Sequence, residues 1–248
     1  MSGLRFYGPV PRYLENIESA GKLIVVEGTD GVGRSTHISL LREWLEVSGY
    51  AVAETGWARS ALVSDTIHEA KSGHNLSRLT YTLLYACDFA DRLEKEILPA
   101  LRAGYVVLSD RYIYTAIARA AVRGIDRQWV TRLFSLAPLP DLVLYLKVDV
   151  RTLARRVLLT SGIDYWEAGK DRHPELDIYD SFTTHQSLLL EEFDRMTSEY
   201  GFHVFDARGA IDGVQAALRA PVRELLEREP AAAPVPPPSA SSMRPAGA

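Results

Sequence analysis

Cysteine is almost absent from the sequence, which has Cys87 as its single cysteine among 248 residues. An internal disulfide framework and a cysteine-rich structural zinc site are therefore excluded, and we expect a reducing, cytoplasmic location. The six histidines lack the spacing of metal ligands. No apolar run approaches the roughly eighteen residues of a membrane-spanning helix, and the first residues lack the pattern of a signal peptide. We expect a soluble, unsecreted protein with no membrane partner.

An excess of positive charge is also missing. The formal net charge is −4, whereas proteins that hold nucleic acid on a general basic surface carry net positive charge. We therefore expect no nucleic-acid partner, and any anionic ligand must be held by a local cluster of cations. The hydrophobic fraction of 47% is large enough for one sizeable core.

Composition divides the chain into three segments. Residues 1–22 precede the first strong strand and contain three aromatic residues and two prolines, which predicts a short docking arm. Residues 228–248 are rich in proline, alanine and serine, which predicts a disordered tail, with a proline-rich ligand for another protein as the alternative. Residues 23–227 between them are predicted to form one folded domain.

Short β-branched runs alternate with helical segments in this domain. Strands are predicted at 23–27, 50–55, 105–110, 142–148 and 202–207. The first helix is predicted to begin at Ser35 and to end at Gly49, and further helices are predicted at 61–72 and 75–103. Near-continuous apolar runs are typical of parallel strands that are buried on both faces. The pattern predicts a three-layer α/β fold in which helices cover both faces of a sheet of about five parallel strands.

A glycine-rich loop, GTDGVGRST, follows the first predicted strand. It has the spacing of a phosphate-binding P-loop, and its position between a strand and a helix favours that function over an ordinary turn. Its glycines turn backbone N–H groups toward phosphate, and the following helix adds partial positive charge. The fold is thus predicted to be of the P-loop NTPase type. The predicted ATP site consists of Gly28, Thr29, Asp30, Gly31, Val32, Gly33, Arg34, Ser35 and Thr36.

Arg34 occupies the position at which P-loops ordinarily have lysine. Lysine is a compact point charge, whereas the arginine guanidinium is planar and bidentate. We therefore expect phosphate binding with a weaker or differently positioned contact to the γ-phosphate. Ser35, or alternatively Thr36, is expected to supply a hydroxyl group to magnesium.

Three ordered segments together resemble the thymidylate kinase family, whose members transfer the γ-phosphate of ATP to dTMP. They are EGTDGVGRST, LLYACDFADRLEKEILPALRAGYVVLSDRY and LPDLVLYLKVDVRTLARRV, and the resemblance extends from about Leu23 to Ala207. It implies a phosphotransferase with nucleotide substrates and Mg²⁺, and it implies a homodimer.

The resemblance also implies roles for single residues. Asp30 matches an aspartate that contacts the sugar 3′-hydroxyl of the acceptor, and Arg111 matches an arginine that binds the acceptor phosphate. Asp110 matches an acidic residue near magnesium, which would join Ser35 as a metal ligand. Tyr85 stands where the family has a phenylalanine that stacks on the base.

Several positions depart from the family pattern. Phe89 replaces an arginine that helps to hold the pyrimidine, and Arg92, further along the same helical face, is a candidate substitute. The family's serine and glutamine contacts to the base become Thr115 or Ala116 and Ala120. After the second strand an arginine and a proline are lost, and Arg59 is the nearest replacement cation. Losses of this kind change or relax base specificity.

A lid is implied over about residues 160–175, where Tyr165 replaces an arginine of the family. Because Gly31 rather than arginine follows Asp30, the resemblance implies that the lid supplies a catalytic arginine. Arg155 and Arg172 are the candidates. The predicted catalytic set is then Asp30, Arg34, Arg111, Arg155 and Arg172.

The sequence leaves three functions open. The first is a kinase that transfers the ATP γ-phosphate to dTMP or a related nucleoside monophosphate. The second, suggested by the lost base contacts, is a kinase for a different nucleotide or nucleoside. The third is a catalytically weak nucleotide-binding or regulatory protein, suggested by Arg34, Phe89 and Tyr165 together.

Overall fold

The structure is a computed structural model that describes residues 2–73 and 76–227. The predicted tail, residues 228–248, lies outside the described residues, as does Asn75, where the sequence places the start of a helix. Within the described part of the chain, no helix is both long enough and apolar enough to cross a membrane.

Two short strands and five longer ones form two separate sheets. The short strands, β1 (Ser2–Gly3) and β2 (Glu18–Ser19), pair antiparallel in the N-terminal arm. The main sheet contains β3 (Lys22–Glu27), β4 (Val52–Gly56), β5 (Val106–Asp110), β6 (Leu142–Lys147) and β7 (His203–Asp206). All its pairings are parallel, and its order is β4-β5-β3-β6-β7. The prediction of a five-stranded parallel sheet is confirmed.

Helices follow the strands of the main sheet along the chain. They are α1 (Arg34–Val47), α2 (Ser64–Ser72), α3 (Arg78–Arg92), α4 (Leu98–Arg102), α5 (Ile113–Val122), α6 (Arg127–Leu133), α7 (Val150–Leu159), α8 (Ile178–Tyr200) and α9 (Ile211–Glu227). The single helix predicted at 75–103 is divided, because a π-helical segment at Leu93–Ile97 lies between α3 and α4. Pro99 lies in the first turn of α4, directly after the π-helical segment.

Both faces of the main sheet are covered, which explains the continuous apolar runs of its strands. In β3, Leu23 and Val25 pack on the face that α3, α5 and α8 cover. Ile24 and Val26 pack on the face that α1, α7 and α9 cover. Because successive side chains of a strand point to opposite faces, every position of such a strand must be apolar. The three-layer α/β prediction is confirmed.

Candidate active site

The candidate active site lies at the carboxyl edge of the main sheet. Asp110, the last residue of β5, pairs with Val26 near the end of β3 and with Gly56 at the end of β4. The loops that follow these three strands therefore leave the sheet side by side. Open parallel sheets bind ligands at this edge.

The loop from Gly28 to Gly33 joins β3 to the N-terminus of α1. Three of its glycines have positive φ angles, +148° at Gly28, +77° at Gly31 and +102° at Gly33. A Cβ atom at Gly28 would lie 2.7 Å from the Leu146 carbonyl oxygen. Glycine is thus required both for the backbone conformation and for the approach to β6. The loop has the form of a phosphate cradle at a helix N-terminus.

The side chain of Arg34 turns into this loop. Its Nε donates a hydrogen bond of 2.8 Å to Asp110 Oδ1, and its Nη1 donates to the carbonyl oxygens of Gly28 and Thr29. The side chain is only 8% exposed. These contacts hold the backbone of the loop against β5. The expected change in the contact to the γ-phosphate stays a prediction.

A cavity of about 370 Å³ lies beside the loop, on the side of α7. Arg156 lines it and donates to the carbonyl oxygens of Val32, at 3.1 Å, and Ala207, at 2.8 Å. Arg155, the candidate from the sequence, is exposed on α7 and does not line this cavity. The cation of α7 that reaches the loop is therefore Arg156, which connects it to the end of β7. We refer to this space as the donor cavity.

Two residues at the loop fit the ligands that magnesium requires. Ser35 is exposed in the first turn of α1, and Asp110 keeps one carboxylate oxygen beyond the one that Arg34 contacts. Among the described residues, no group of three or more acidic, histidine or cysteine side chains could hold a metal ion by itself. A hydroxyl group, one carboxylate and substrate phosphates suit magnesium, which retains several water molecules.

A second cavity, of about 180 Å³, lies on the other side of the loop. We refer to it as the acceptor cavity. It is lined by Asp30, Trp57, Ala58, His68, Lys71, Tyr81, Tyr85, Arg111, Arg119, Trp166 and Glu167. Asp30 ion-pairs with both Arg111 and Arg119, so that the two guanidinium groups converge on one carboxylate. The cavity is therefore suited to an anionic ligand.

Arg111 has an unusual environment in this cavity. Its φ angle is +67°, in the left-handed region that residues other than glycine rarely adopt. Burial lowers the pKa of its guanidinium to about 9, and the positive charge of Arg119 contributes in the same direction. The group still carries its positive charge at neutral pH. A strained, buried cation of this kind is typical of a functional site.

Aromatic side chains form one wall of the acceptor cavity. Tyr85 packs on Trp57 with 5.5 Å between ring centroids and on Tyr81 with 4.7 Å. Trp166 stacks on Tyr81 at 5.6 Å, and its indole N–H donates to the Lys71 carbonyl oxygen. Tyr85, the stacking residue that the sequence predicted, is therefore part of this wall, and its contact with a base stays a prediction.

Phe89 and Arg92 do not line the acceptor cavity. Phe89 is 1% exposed and packs in the core on Trp57 and Phe134. Arg92 is 2% exposed and donates 3.0 Å to Asp88, which in turn accepts from the backbone N–H group of Ser60. The proposal that Arg92 substitutes for a base-binding arginine is therefore corrected, because its guanidinium is used to hold the turn after β4.

Thr115 and two neighbouring alanines lie at a narrow cleft behind the aromatic wall. Thr115 Oγ1 donates 2.6 Å to Glu27, a fully buried carboxyl group that also accepts from the backbone of Tyr112. Burial raises the pKa of Glu27, and these hydrogen bonds oppose that effect. Ala116 and Ala120 present only methyl groups to the cleft. The Thr115 hydroxyl group thus donates its hydrogen bond within the protein, to Glu27.

Two residues of the predicted lid segment, Trp166 and Glu167, line the acceptor cavity. Arg172 Nη1 donates 3.3 Å to the Arg123 carbonyl oxygen, at the end of α5. Lys170 Nζ donates to three carbonyl oxygens of the lid itself, those of His173, Pro174 and Leu176. Arg172 therefore lies at the C-terminal end of α5, and it lines neither the acceptor cavity nor the donor cavity.

Sequence reasoning assigned no site role to Arg119, Arg156, Trp57 or Trp166. Local patterns carried no signal for them, because each reaches its cavity by packing against a distant part of the chain. The two cationic residues could have been found only by asking which arginines of α5 and α7 face the loop. That question needs the arrangement of the helices.

Comparison with known proteins gives a consistent result. The family described as thymidylate kinase matches residues 26–217. The probable thymidylate kinase 2 of Saccharolobus solfataricus is 37% identical over 209 residues, covering 84% of this chain and 98% of that protein. The probable thymidylate kinase of Pyrococcus horikoshii is 36% identical over 173 residues, covering 65% of this chain and 84% of that protein.

Proposed function

The chain belongs to the thymidylate kinase family, and we propose that it transfers the γ-phosphate of ATP to dTMP. It is a phosphotransferase of the nucleoside monophosphate kinase class. One observation carries the proposal: the P-loop separates a donor cavity from an acceptor cavity that holds Asp30, Arg111 and an aromatic wall. Two nucleotides bound on either side of the loop would meet end to end.

The donor nucleotide would bind along residues 28–36 with its remainder in the donor cavity. Backbone N–H groups of the loop and the N-terminus of α1 would contact the phosphates. Ser35 and Asp110 would hold Mg²⁺, which supplies charge neutralisation at the phosphate oxygens. Arg34 would keep the loop in its shape, and Arg156 would hold it on the side of α7.

The acceptor would place its phosphate at Arg111, its sugar at Asp30 and its base on the aromatic wall beside Tyr85. The transition state of phosphoryl transfer distributes charge over equatorial oxygens, which cations and backbone donors stabilise. The lid, which already contacts this wall through Trp166, would exclude water from the reacting phosphates. The catalytic roles of Arg155 and Arg172 remain predictions of the family resemblance.

We further propose that the protein is a cytoplasmic homodimer. Leu79 and Leu83 lie on α3 with 53% and 44% of their surfaces exposed, which supports a contact between copies through this helix. Size-exclusion chromatography with light scattering of the protein and of its Leu83→Glu variant tests the oligomeric state. A monomeric wild-type protein would contradict it.

The function is tested by measuring ADP formation from ATP and Mg²⁺ with each common nucleoside monophosphate in turn. We expect transfer to dTMP in preference to the other acceptors. Arg34→Ala should abolish it, whereas Arg42→Ala, at an exposed position of α1, should not. Preference for another monophosphate would support the second function of the sequence analysis. ATP binding without any transfer would support the regulatory function.

A further inference from the structure

Arg119 lies in the acceptor cavity, although the family resemblance gives it no role. Its Nη2 donates 2.8 Å to Asp30 Oδ2, while Arg111 pairs with Asp30 Oδ1. The two guanidinium groups therefore hold the two oxygens of one carboxylate. Arg119 Nη1 also approaches the Tyr81 hydroxyl at 3.4 Å, which places the group at the foot of the aromatic wall.

Two acidic residues, Asp30 and Glu167, line the acceptor cavity together with Arg111 and Arg119. The side chains of Asp30, Arg111 and Arg119 are 14%, 14% and 15% exposed, so that water screens them only partly. Lys71 adds a further cation to the lining. Arg59, the replacement cation expected from the sequence, is 46% exposed, pairs with Glu54 at 3.1 Å and does not line the cavity.

We propose that Arg119 is a phosphate-binding residue of the acceptor site, where it and Arg111 together hold the 5′-phosphate of the acceptor. Asp30 serves as the internal counter-ion that keeps both guanidinium groups in place while the site is empty. The inference rests on the proposed function in that the acceptor is a nucleoside monophosphate.

The similar chemistry of a carboxylate and a phosphate supports a transfer of the two guanidinium groups from Asp30 to the acceptor phosphate. A carboxylate and a phosphate both present pairs of oxygens that match the donor fork of arginine, and a phosphate accepts from two forks at once. Two guanidinium groups balance the double negative charge of a phosphate monoester. When they transfer to the phosphate, Asp30 Oδ2 is released to accept a hydrogen bond from the sugar hydroxyl, while Oδ1 keeps its longer ion pair of 3.9 Å with Arg34. Arg119 shares the Asp30 carboxylate with Arg111, which matches the phosphate-binding arginine of the family. This shared partner assigns Arg119 to the phosphate end of the acceptor, although its side chain also lines the narrow cleft.

Equilibrium binding of a nucleotide and its nucleoside separates this role from others. Calorimetry with dTMP and with thymidine should show that Arg119→Gln weakens dTMP binding by about 10- to 100-fold. Thymidine binding should change by less than about threefold, since the nucleoside has no phosphate to lose contact with. Arg119→Lys keeps the charge but not the planar pair of donors, so its affinity for dTMP should lie between those of wild type and Arg119→Gln. Arg132→Gln, at an exposed position of α6, is the control.

Equal losses for dTMP and thymidine would overturn the inference, because they would show that Arg119 serves the sugar, the base or the fold. Unchanged dTMP binding in Arg119→Gln would overturn it as well. If Arg119→Gln does not fold, Arg119→Lys decides the question by the same comparison. If another monophosphate is preferred, the proposed function fails, while that nucleotide and its nucleoside test Arg119 in the same way. A wild-type protein that binds no monophosphate overturns both.

Discussion

Arg34 and Asp110 are joined by a hydrogen bond of 2.8 Å between Nε and Oδ1, which links the first residue of α1 to the last residue of β5. The same guanidinium group holds the carbonyl oxygens of Gly28 and Thr29. A lysine ammonium is a single nitrogen on a flexible stem, so it does not provide this planar, divided set of donors. In this chain Arg34 stabilises the conformation of the P-loop by its hydrogen bonds to Asp110, Gly28 and Thr29.

Arg34→Lys is therefore expected to lower the free energy of unfolding. The variant loses a charge-assisted hydrogen bond to a partly buried carboxylate, for which a loss of about 1.5–3 kcal/mol is typical. Urea denaturation measures it, and Arg42→Lys, at an exposed ion pair on the same helix, should change stability by less than about 0.5 kcal/mol. Equal stability of Arg34→Lys and wild type would show that the contacts of Arg34 do not hold the loop.

Gly31→Ala is expected to damage both stability and ATP binding. Its φ angle is +77°, and a Cβ atom there would lie 2.4 Å from Val157 Cγ2 on α7. The left-handed backbone strain should lower the free energy of unfolding by about 1 kcal/mol. Overpacking against Val157 should lower it by about a further 1–3 kcal/mol. Gly49→Ala is the matched control, because Gly49 has a φ angle of +90° but nothing within 4 Å of its Cβ position.

The two variants are compared by urea denaturation and by calorimetry with ATP. Gly49→Ala should show only the strain and bind ATP like wild type. Similar destabilisation of both variants would mean that the contact with Val157 relaxes easily, and that α7 does not fix the loop.

Arg92→Met is expected to reduce stability by about 3 kcal/mol, because it leaves the carboxylate of Asp88 without its charged partner. Asp88 is 0% exposed and accepts backbone hydrogen bonds from Ala58 and Ser60. The double variant Asp88→Asn with Arg92→Met removes both charges and should recover part of the stability. Because Arg92 does not line the acceptor cavity, the double variant should bind dTMP like wild type. A double variant that is stable but still fails to bind dTMP would restore Arg92 as a base-binding residue.

His185 is expected to make stability depend on pH. It is 1% exposed beneath the lid, and burial, with the positive charges of Arg123 and Arg119, lowers its pKa from 6.5 to about 3. The unfolded chain therefore binds an additional proton between pH 3 and 6.5, so stability is fully present above pH 6.5 and falls as the pH decreases.

Urea denaturation at pH 7 and pH 5 measures the contribution of His185. Between these two pH values the free energy of unfolding should fall by about 2 kcal/mol more in wild type than in His185→Gln. The expected slope is about 1.4 kcal/mol for each pH unit below the pKa of the unfolded chain. His203→Gln replaces an exposed histidine and should leave the pH dependence of wild type unchanged. A parallel decline in wild type and His185→Gln would assign the effect to other groups.

The candidate site was predictable in part. The P-loop was found from local sequence, because its glycines are required by backbone conformations that depend on neighbouring residues only. Tyr85, predicted from its position in a motif to stack on the base, lines the acceptor cavity, and its stacking on a base stays a prediction. Arg92 was assigned wrongly. Helical spacing indicates which residues share a face, but not whether the cation forms an ion pair with a buried acid, here Asp88.

The sequence by itself determined the alternation of strands and helices, the parallel sheet and the position of the phosphate loop. These depend on hydrophobic periodicity and on glycine, which act over short stretches of chain. Only the tertiary structure decided which cations face which cavity. Asp30 meets Arg119 across 89 residues of sequence, and Val32 meets Arg156 across 124. Such meetings follow from the order of the strands and the packing of helices on the sheet, and short-range patterns in the sequence carry no record of them.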